Sequence, residues 1–322
     1  MLVGVMASMR PTSGAGRFAP SPSGALHLGN LRTALAAWLS ARGSARRFEL
    51  RIEDIDAQRS RREHEPGQLA DLRRLGLDWD GDPLRQSDRR ETHRAAAERL
   101  RTAGRLYPCW CTRAEIRQAA SAPHAERLAD AYPGTCRHLD SRRRSERSER
   151  GAPRAWRLDG RDTPVSFVDR VHGPAQAVVD DFVVWRGDLD AGAPAYNLAV
   201  VVDDHDQGVD EVVRGDDLLA TTSRQLLLAR LLGLTAPAHA HVPLVLGPDG
   251  RRLAKRDGAV TLAEREQLGE TPEDVLSWMG CTLGLAEPRE RLDLAGLVER
   301  FDVARLAREP TTLDPSVSLA VS

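Results

Sequence analysis

The chain has 322 residues, with 46 basic and 47 acidic side chains and a net charge of −1. This size allows two domains or one large domain with insertions, and the balanced charge excludes a global basic field, so nucleic-acid binding would depend on local patches. No apolar stretch is long enough to span a bilayer, and the first residues lack the parts of a signal peptide. We therefore expect a cytoplasmic protein with no membrane contact and a disordered tail over residues 1–15.

Hydrophobic periodicity predicts an α/β fold in the first third of the chain. Leucines at four-residue spacing predict a helix over residues 27–42, and alternating apolar residues predict a strand over 48–52. Further helices are predicted over 65–75 and 89–103. Alternating strands and helices in this order are typical of a nucleotide-binding half-domain with a parallel sheet.

Beyond residue 106 the pattern changes to cysteines, prolines and a charge-dense run, which favours an insertion. Strand patterning resumes at residues 198–202 and 209–213, and residues 221–232 predict a helix. The remainder is mainly helical in pattern. The predicted segments are a tail (1–15), the first half of a Rossmann-type catalytic domain (16–105), a zinc-bearing insertion (106–180), the second half of that domain (181–240), and a region with a lysine-bearing loop and helices (241–322).

Residues 17–30 combine proline, serine and glycine at a predicted strand-to-helix turn. Gly24 and Gly29 let the backbone approach a ligand closely, and the N–H groups at the start of the next helix favour an anion. His27 stands beside that helix terminus and can donate a hydrogen bond to a phosphate. Taken alone, a histidine near a helix start is more often structural than functional.

Three cysteines, Cys109, Cys111 and Cys136, lie close together in the predicted insertion. Three thiolates on short turns suit a tetrahedral Zn²⁺, which would stabilise a segment too small to form its own core. The residues leave the fourth ligand open between His138, His124 and Tyr132. The alternative is three buried free cysteines.

Lys255 is the single lysine among 46 basic residues. Arginine occupies every other basic position, so a compact and flexible ammonium is favoured at this one. Such a group suits a phosphate whose charge changes during a reaction. On its own, the loop is equally consistent with a surface lysine that has no function.

With these motifs in place, the chain resembles the class I glutamyl-tRNA synthetases. The matching segments, in order, are residues 17–30 with the "HIGH" region at 27–30, residues 51–56, residues 196–204, residues 213–218, and residues 253–256 at the "KMSKS" loop. Arg17 favours glutamate, because glutaminyl enzymes usually open the first motif without an arginine. Ala254 replaces the serine usual in the last motif, and we expect a change in rate from this rather than a loss of activity.

The resemblance implies L-glutamate and ATP, with Mg²⁺, as substrates, and His27 and Lys255 as catalytic residues. It places ATP beside Ser23, Gly24, His27, Gly29, Asn30 and Lys255. It places glutamate among Arg17, Ala19, Ser21, Glu53, Tyr196 and Arg214. The two arginines suit carboxylates because a guanidinium can bind one through two parallel hydrogen bonds. Glu53 would pair with the substrate ammonium, and Tyr196 would donate its hydroxyl.

The resemblance also favours Tyr132 as the fourth Zn²⁺ ligand. The Zn²⁺ is interpreted as structural, because no catalytic residue comes from that segment. Four aspartates beside the matched motifs are interpreted as structural, with a Mg²⁺ site as the alternative: Asp54, Asp56, Asp203 and Asp204. The arginine-rich runs at residues 59–62 and 142–150 could contact tRNA phosphates, although a solvated surface is the favoured interpretation.

From the length after the lysine loop, we expect no anticodon-binding domain of the kind found in a full-length synthetase. This expectation matches truncated members of the family, which activate glutamate without tRNA and transfer it to the queuosine base at the wobble position of aspartate tRNA. One alternative is a compact enzyme that charges the terminal ribose of glutamate tRNA. Another is a non-catalytic, zinc-bearing RNA-binding paralogue. We expect a monomer.

Overall fold

The computed structural model of the chain describes residues 14–120, 132–253, 258 and 260–320. Three residues named above, Lys255, Ala254 and His124, lie outside these ranges, as does most of the predicted tail. Within them, no helix has the length and apolar character needed to cross a membrane.

Strands and helices alternate along the described ranges. The strands are β1 (Ala15–Phe18), β2 (Arg47–Ile52), β3 (Leu84–Arg85), β4 (Leu106–Cys109), β5 (Ala155–Leu158), β6 (Thr163–Asp169), β7 (Gly173–Val179), β8 (Phe182–Arg186), β9 (Ala193–Pro194), β10 (Glu211–Gly215), β11 (Ala238–Val242), β12 (Val245–Leu246) and β13 (Thr311–Thr312). The α-helices are α1 (Leu28–Gly43), α2 (Glu65–Arg74), α3 (Arg90–Thr102), α4 (Arg113–Ala120), α5 (Ser141–Glu149), α6 (Tyr196–Asp206), α7 (Thr222–Leu232), α8 (Leu262–Gln267), α9 (Pro272–Thr282) and α10 (Leu294–Arg300).

A mainly parallel sheet forms the centre of the molecule. Strand β1 pairs parallel with β2, and β2 with β3. On the other side, β10 pairs parallel with β11, which meets β6 in parallel at His239 and Asp169. A parallel bridge between Ala15 and Val209 joins the two sets next to β1. The predicted α/β class with a parallel sheet is therefore confirmed.

Helix α1 covers this sheet, with Leu31, Leu35 and Leu39 fully buried. Their four-residue spacing places them on one face of the helix, which explains why the sequence pattern located it. The helix predicted over 27–42 and the strand over 48–52 are confirmed as α1 and β2. The helices predicted at residues 65–75, 89–103 and 221–232 correspond to α2, α3 and α7.

The strand predicted at residues 198–202 is wrong, because these residues belong to helix α6. Three consecutive valines gave the segment its strand character, yet a short apolar run cannot be assigned to a strand or a helix by periodicity alone. Helix α6 packs between α3 and α7. Burial against two helices outweighs the weak helix propensity of valine.

The segment with the cysteine cluster is built on an antiparallel sheet in the order β4-β5-β8-β9. This sheet runs across the boundary predicted at residue 180, because β8 and β9 lie beyond it. The hairpin of β6 and β7 instead joins β11 in the central sheet. At the other end of the chain, β1 begins at Ala15, inside the range predicted as a tail.

Helices α8, α9 and α10 pack into the same apolar core as α1. Met279, Leu283 and Leu297 share this core with Leu31 and Leu35. Strand β13 pairs parallel with β12, which carries the last residues back to the centre of the molecule. The C-terminal region therefore supports the helix whose first turn forms the candidate site.

Candidate active site

A cleft of about 710 Å³ opens at the carboxyl ends of β1, β2 and β10. Ligands bind at this edge of open parallel sheets, because the loops that follow the strands converge there. The described residues predicted to bind ATP or glutamate all line this cleft: Arg17, Ala19, Ser21, Ser23, Gly24, His27, Gly29, Asn30, Glu53, Tyr196 and Arg214. The structure thus brings together side chains that are up to about two hundred residues apart in sequence.

His27 caps helix α1 at the wall of the cleft. Its Nδ1 accepts a hydrogen bond of 3.2 Å from the backbone N–H of Asn30, whose side-chain oxygen accepts from the N–H of His27 at 3.4 Å. Burial, and then the charge of Arg252, lowers the pKa of His27 to about 4. The ring is therefore neutral near pH 7, and with Nδ1 accepting, its proton is on Nε2.

Gly29 is required by the position of this imidazole. A side-chain carbon at Gly29 would lie 3.1 Å from the His27 ring and 3.3 Å from Val245. Contacts this short would displace the ring or the strand beside it. The glycine therefore allows the cap and the cleft wall to pack closely at the start of the helix.

Both ends of the loop that contains Lys255 are attached to this site. Before the loop, Leu253 and Arg252 line the cleft, and Arg252 donates to Asp217 at 2.7 Å. After the loop, the carbonyl of Val260 accepts a 2.7 Å hydrogen bond from the N–H of Leu28. The role predicted for Lys255 stays a prediction, but the residues that flank it lie beside the helix terminus.

A buried cluster of charges forms the floor of the cleft. Arg51 donates to Asp204 at 2.7 Å and to Glu53 at 3.3 Å, and Arg17 donates to Asp204 at 3.4 Å. Burial acts to raise the pKa of Asp204, but the guanidiniums of Arg51 and Arg17 outweigh it and hold the pKa below its usual range. For Glu53 burial dominates and raises the pKa despite the same arginines. A substrate ammonium beside Glu53 would favour its ionised form.

Arg214 and Tyr196 complete the wall opposite helix α1. Arg214 is only 4% exposed and is held by His241, Gln225 and Thr222 at 2.9, 2.8 and 2.8 Å. Burial, followed by the charge of Glu53, raises the pKa of Tyr196. Its hydroxyl is therefore protonated and can donate a hydrogen bond.

Sequence reasoning missed the residues that hold these side chains in place. Arg51 and His241 lie in β2 and β11, which carry other polar residues such as Glu49 and His239, and a charged or polar side chain that is buried inside a strand needs a hydrogen-bonding partner. Which partner it meets depends on the pairing of distant elements. Asp203 and Asp204 are bonded to cations of the protein itself, Arg89 and Arg51, which favours the structural interpretation of this acidic pair.

The thiols of Cys109, Cys111 and Cys136 converge, with their sulfur atoms all within 4.8 Å of one another. Among the described residues this is the single group of that kind. The Sγ atoms of Cys111 and Cys136 are 3.5 Å apart, and the Tyr132 hydroxyl lies 3.4 Å from Sγ of Cys109 and 3.6 Å from Sγ of Cys111. Ligands of a tetrahedral Zn²⁺ with bonds of about 2.3 Å have such separations, so the cluster fits zinc.

The surroundings of the cluster favour a thiolate at Cys109, whereas hydrogen bonds with Cys109 and Cys136 raise the pKa of Cys111. Hydrogen bonds from the thiols of Cys111 and Cys136 lower the pKa of Cys109. The guanidinium of Arg157 lies 3.4 Å from Sγ of Cys109 and stacks over the Tyr132 ring. By contrast, the ring of His138 accepts a hydrogen bond from Arg137 at 3.3 Å, and His138 is not among the potential metal ligands that cluster with the three cysteines. The fourth ligand stays a prediction.

Comparison with known proteins identifies the family of the chain. Residues 15–316 match the family of class I tRNA synthetases for glutamate and glutamine (E and Q), catalytic domain. Over 302 residues the chain is 59% identical to a glutamyl-Q tRNA(Asp) synthetase from Nocardia farcinica, covering 93% of each chain. The chain belongs to the glutamyl-Q tRNA(Asp) synthetase family. It thereby belongs to the class I synthetases, which are ligases.

Other members of the class are longer. The chain is 40% identical to glutamate–tRNA ligase 1 of Halorhodospira halophila, covering 93% of this chain but 65% of the ligase. It superimposes with a TM-score of 0.80 and 26% identity on the crystal structure of a glutamate tRNA ligase from Elizabethkingia meningosepticum in complex with its amino acid. That comparison covers 94% of this chain and 67% of the ligase. This chain therefore corresponds to about two thirds of each longer enzyme, and its family match is to a catalytic domain.

Proposed function

We propose that the protein activates L-glutamate with ATP to form glutamyl-AMP and then transfers glutamate to the queuosine base at the wobble position of tRNA(Asp). The observation that carries this proposal is similarity at 59% identity over nearly the whole chain to an enzyme with that acceptor in its name. The cleft supports the activation step, because an anion-binding helix terminus, two arginines and a buried carboxylate line it together.

In the activation step, an oxygen of the substrate α-carboxylate attacks the α-phosphorus of ATP. A new phosphorus–oxygen bond forms, the bond to the β-phosphate oxygen breaks, and pyrophosphate leaves. The carboxylate is already ionised, so no general base is required, and positioning and charge neutralisation supply the catalysis. His27 donates from Nε2, and Lys255 neutralises the leaving phosphates. ATP enters with Mg²⁺, which neutralises further charge.

Glutamate is held by the opposite wall and the floor of the cleft. Arg214, with Arg17 beside it, binds carboxylate oxygens, Glu53 pairs with the ammonium, and Tyr196 donates its hydroxyl. In the transfer step, an O–H or N–H nucleophile on the modified base attacks the carbonyl carbon of glutamyl-AMP. A bond from the nucleophile to that carbon forms, the carbon–oxygen bond to the phosphate breaks, AMP leaves with the bonding electrons, and the proton of the nucleophile passes to the phosphate or to water. The adenylate is a mixed carboxylic–phosphoric anhydride, so its carbonyl carbon is already activated toward this attack.

We also propose that Cys109, Cys111, Cys136 and Tyr132 hold a structural Zn²⁺. The ion would join the end of β4 to the segment before helix α5, where the described side chains form only a small cluster of their own. Zinc contributes folding energy directly in such segments. No reaction step involves it.

Transfer of labelled glutamate tests the proposal, with glutamate-dependent ATP–pyrophosphate exchange measured first and without tRNA. Three acceptors are then compared: tRNA(Asp) with queuosine, tRNA(Asp) without it, and tRNA(Glu). We expect label only on the first. Label on tRNA(Glu) would instead identify a compact enzyme that charges the terminal ribose. Absence of exchange both without tRNA and with each of the three tRNAs would identify a non-catalytic paralogue.

A further inference from the structure

Three adjacent strands of the central sheet place three buried side chains in a row that ends at the cleft. Asp169 ends β6, His241 lies on β11, and Arg214 lies on β10. They are 1%, 0% and 4% exposed. The register pairs Arg214 with His241 directly across the two strands. The row therefore connects the interior of the sheet to the wall of the cleft.

Hydrogen-bond directions along this row are fixed by chemistry. An arginine can only donate, so Nε2 of His241, 2.9 Å from Nε of Arg214, must accept. The proton of the neutral ring is then on Nδ1, which lies 2.6 Å from Oδ2 of Asp169. The other oxygen of Asp169 accepts the backbone N–H groups of Val171 and His172 at 3.0 Å each. The carboxylate is thus fixed, and it selects the tautomer that accepts from Arg214.

The remaining bonds of Arg214 fix the plane of its guanidinium. Nη1 donates to Gln225 and Nη2 to Thr222, both at 2.8 Å and both from helix α7, and Nη2 also donates to the carbonyl of Leu218 at 3.4 Å. The hydroxyl of Thr222 also lies 3.3 Å from Nε2 of His241. The guanidinium is therefore held from β11 on one side and from α7 on the other while it lines the cleft. Binding a carboxylate through parallel hydrogen bonds requires a fixed plane of this kind.

We propose that Asp169 and His241 are positioning residues that fix the Arg214 guanidinium for the side-chain carboxylate of the substrate and thereby favour glutamate over glutamine. The inference rests on the proposed function, in which Arg214 contacts glutamate. A carboxylate offers only acceptors to the guanidinium, whereas a carboxamide also presents a donor that finds no partner on it. A site built for one hydrogen-bonding pattern rejects the other strongly when its groups cannot reorient.

The chain contains a matched pair outside the cleft. His93 and Asp203 are both buried, with Nε2 of His93 2.8 Å from Oδ1 of Asp203, and they join α3 to α6. Neither residue lines the cleft. A purely structural histidine–aspartate pair should therefore behave like this one. Comparing the two pairs separates positioning of Arg214 from simple stabilisation of the fold.

The first experiment replaces Asp169 by asparagine, which has the same shape. The amide oxygen would stay with the backbone N–H groups, so its NH₂ would face Nδ1 of His241. The ring would then carry its proton on Nε2, where it opposes the N–H of Arg214. In ATP–pyrophosphate exchange we expect KM for glutamate to rise about tenfold or more, with KM for ATP unchanged. We also expect the preference for glutamate over glutamine to fall.

Two further comparisons complete the test. Asp203→Asn should lower the melting temperature but leave both KM values near those of the unmodified protein. His241→Gln keeps an acceptor for Arg214 and should retain a lower KM for glutamate than His241→Leu, which removes it. The proposal is overturned if Asp169→Asn and His241→Leu leave KM for glutamate unchanged, or if Asp203→Asn raises KM for glutamate as much as they do. No exchange by the unmodified protein would refute the proposed function instead.

Discussion

Asp204 accepts a 2.7 Å hydrogen bond from Arg51 beneath the cleft, and both residues are almost inaccessible, at 5% and 0% exposed. The same carboxylate oxygen lies 3.4 Å from Arg17. One aspartate of helix α6 therefore compensates two guanidiniums, one from β2 and one from β1. Arg17 can present its remaining N–H groups to a substrate because a second charge already holds it in place.

Replacing Asp204 by asparagine should strongly destabilise the protein. Removing one partner of a buried ion pair leaves an uncompensated charge and costs about 3–5 kcal/mol. Urea unfolding should show a loss of this size in the free energy of unfolding. The matched control is Asp78→Asn, whose side chain is 69% exposed and bonded to Arg42 at 3.0 Å. Exposed pairs contribute only about 0–1 kcal/mol. Equal losses of unfolding free energy in the two variants would show that the Asp204 ion pair is not buried.

The Arg51–Asp204 pair also shows how far sequence reasoning reaches. Helix α1 and strand β2 could be located because a repeated spacing of apolar residues reports directly on one buried face. The pairing of Arg51 with a residue 153 positions away leaves no local signal. Such contacts depend on how elements pack, which a single sequence does not encode in its spacing.

In the candidate site too, sequence motifs predicted some residues, whereas packing between distant elements determined others. The residues predicted to line the cleft belong to motifs that lie mainly at the ends of strands. The order of these motifs along the chain, and the chemistry of their residues, carried the family resemblance. The supporting residues Asp169 and His241 lie within or at the end of strands and belong to no motif recognised in the sequence. Helix α6 was predicted as a strand because its valines favour strands, and only its packing between two helices decides otherwise.

The role of His27 as a neutral donor can be tested with His27→Asn. Asparagine caps helices well, so the fold should be retained, but the Nε2–H donor is lost. Removal of one donor to a developing oxyanion typically lowers the rate about 100-fold or more, and we expect such a fall in kcat of ATP–pyrophosphate exchange. A normal rate with an intact fold would show that His27 acts only as a cap.

The lowered pKa of His27 predicts a specific dependence of stability on pH. Its pKa of about 4 in the folded protein lies below the ordinary histidine value of 6.5, so the unfolded chain binds the proton first as the pH falls. The contribution of neutral His27 is therefore present above pH 6.5 and is lost as the pH falls toward 4. Urea unfolding of the unmodified protein and of His27→Asn at about pH 7 and pH 5 should show a difference that shrinks at the lower pH. A constant difference would mean that His27 titrates equally in both states.

Lys255 should not tolerate replacement by arginine, although the charge is kept. A guanidinium is larger and planar and cannot follow the phosphates as a compact ammonium does. We expect kcat of ATP–pyrophosphate exchange to fall strongly with an unchanged melting temperature. The control is Arg251→Lys, because Arg251 precedes Lys255 in the sequence and its side chain is 79% exposed and does not line the cleft. If Lys255→Arg and the control both exchange normally, Lys255 is not catalytic.

The proposed zinc site predicts the metal content of the protein, and a cysteine outside the cluster provides a matched control. Metal analysis of the purified protein should find about one zinc ion per chain. Cys111→Ser should lower both zinc content and melting temperature, since binding and folding are coupled in such segments. Cys281 lies in helix α9 and is not part of the cluster, so Cys281→Ser should keep the metal.

The rate at which a chelator removes the zinc ion identifies the fourth ligand. The Tyr132 hydroxyl is within 3.6 Å of two cluster sulfur atoms, whereas the Nε2 atom of His138 accepts from Arg137 instead. In competition with a zinc chelator, Tyr132→Phe should therefore release the ion more readily than His138→Ala. The reverse order would assign the fourth position to His138, and it would require the loop around residue 138 to turn toward the sulfur atoms when the ion binds.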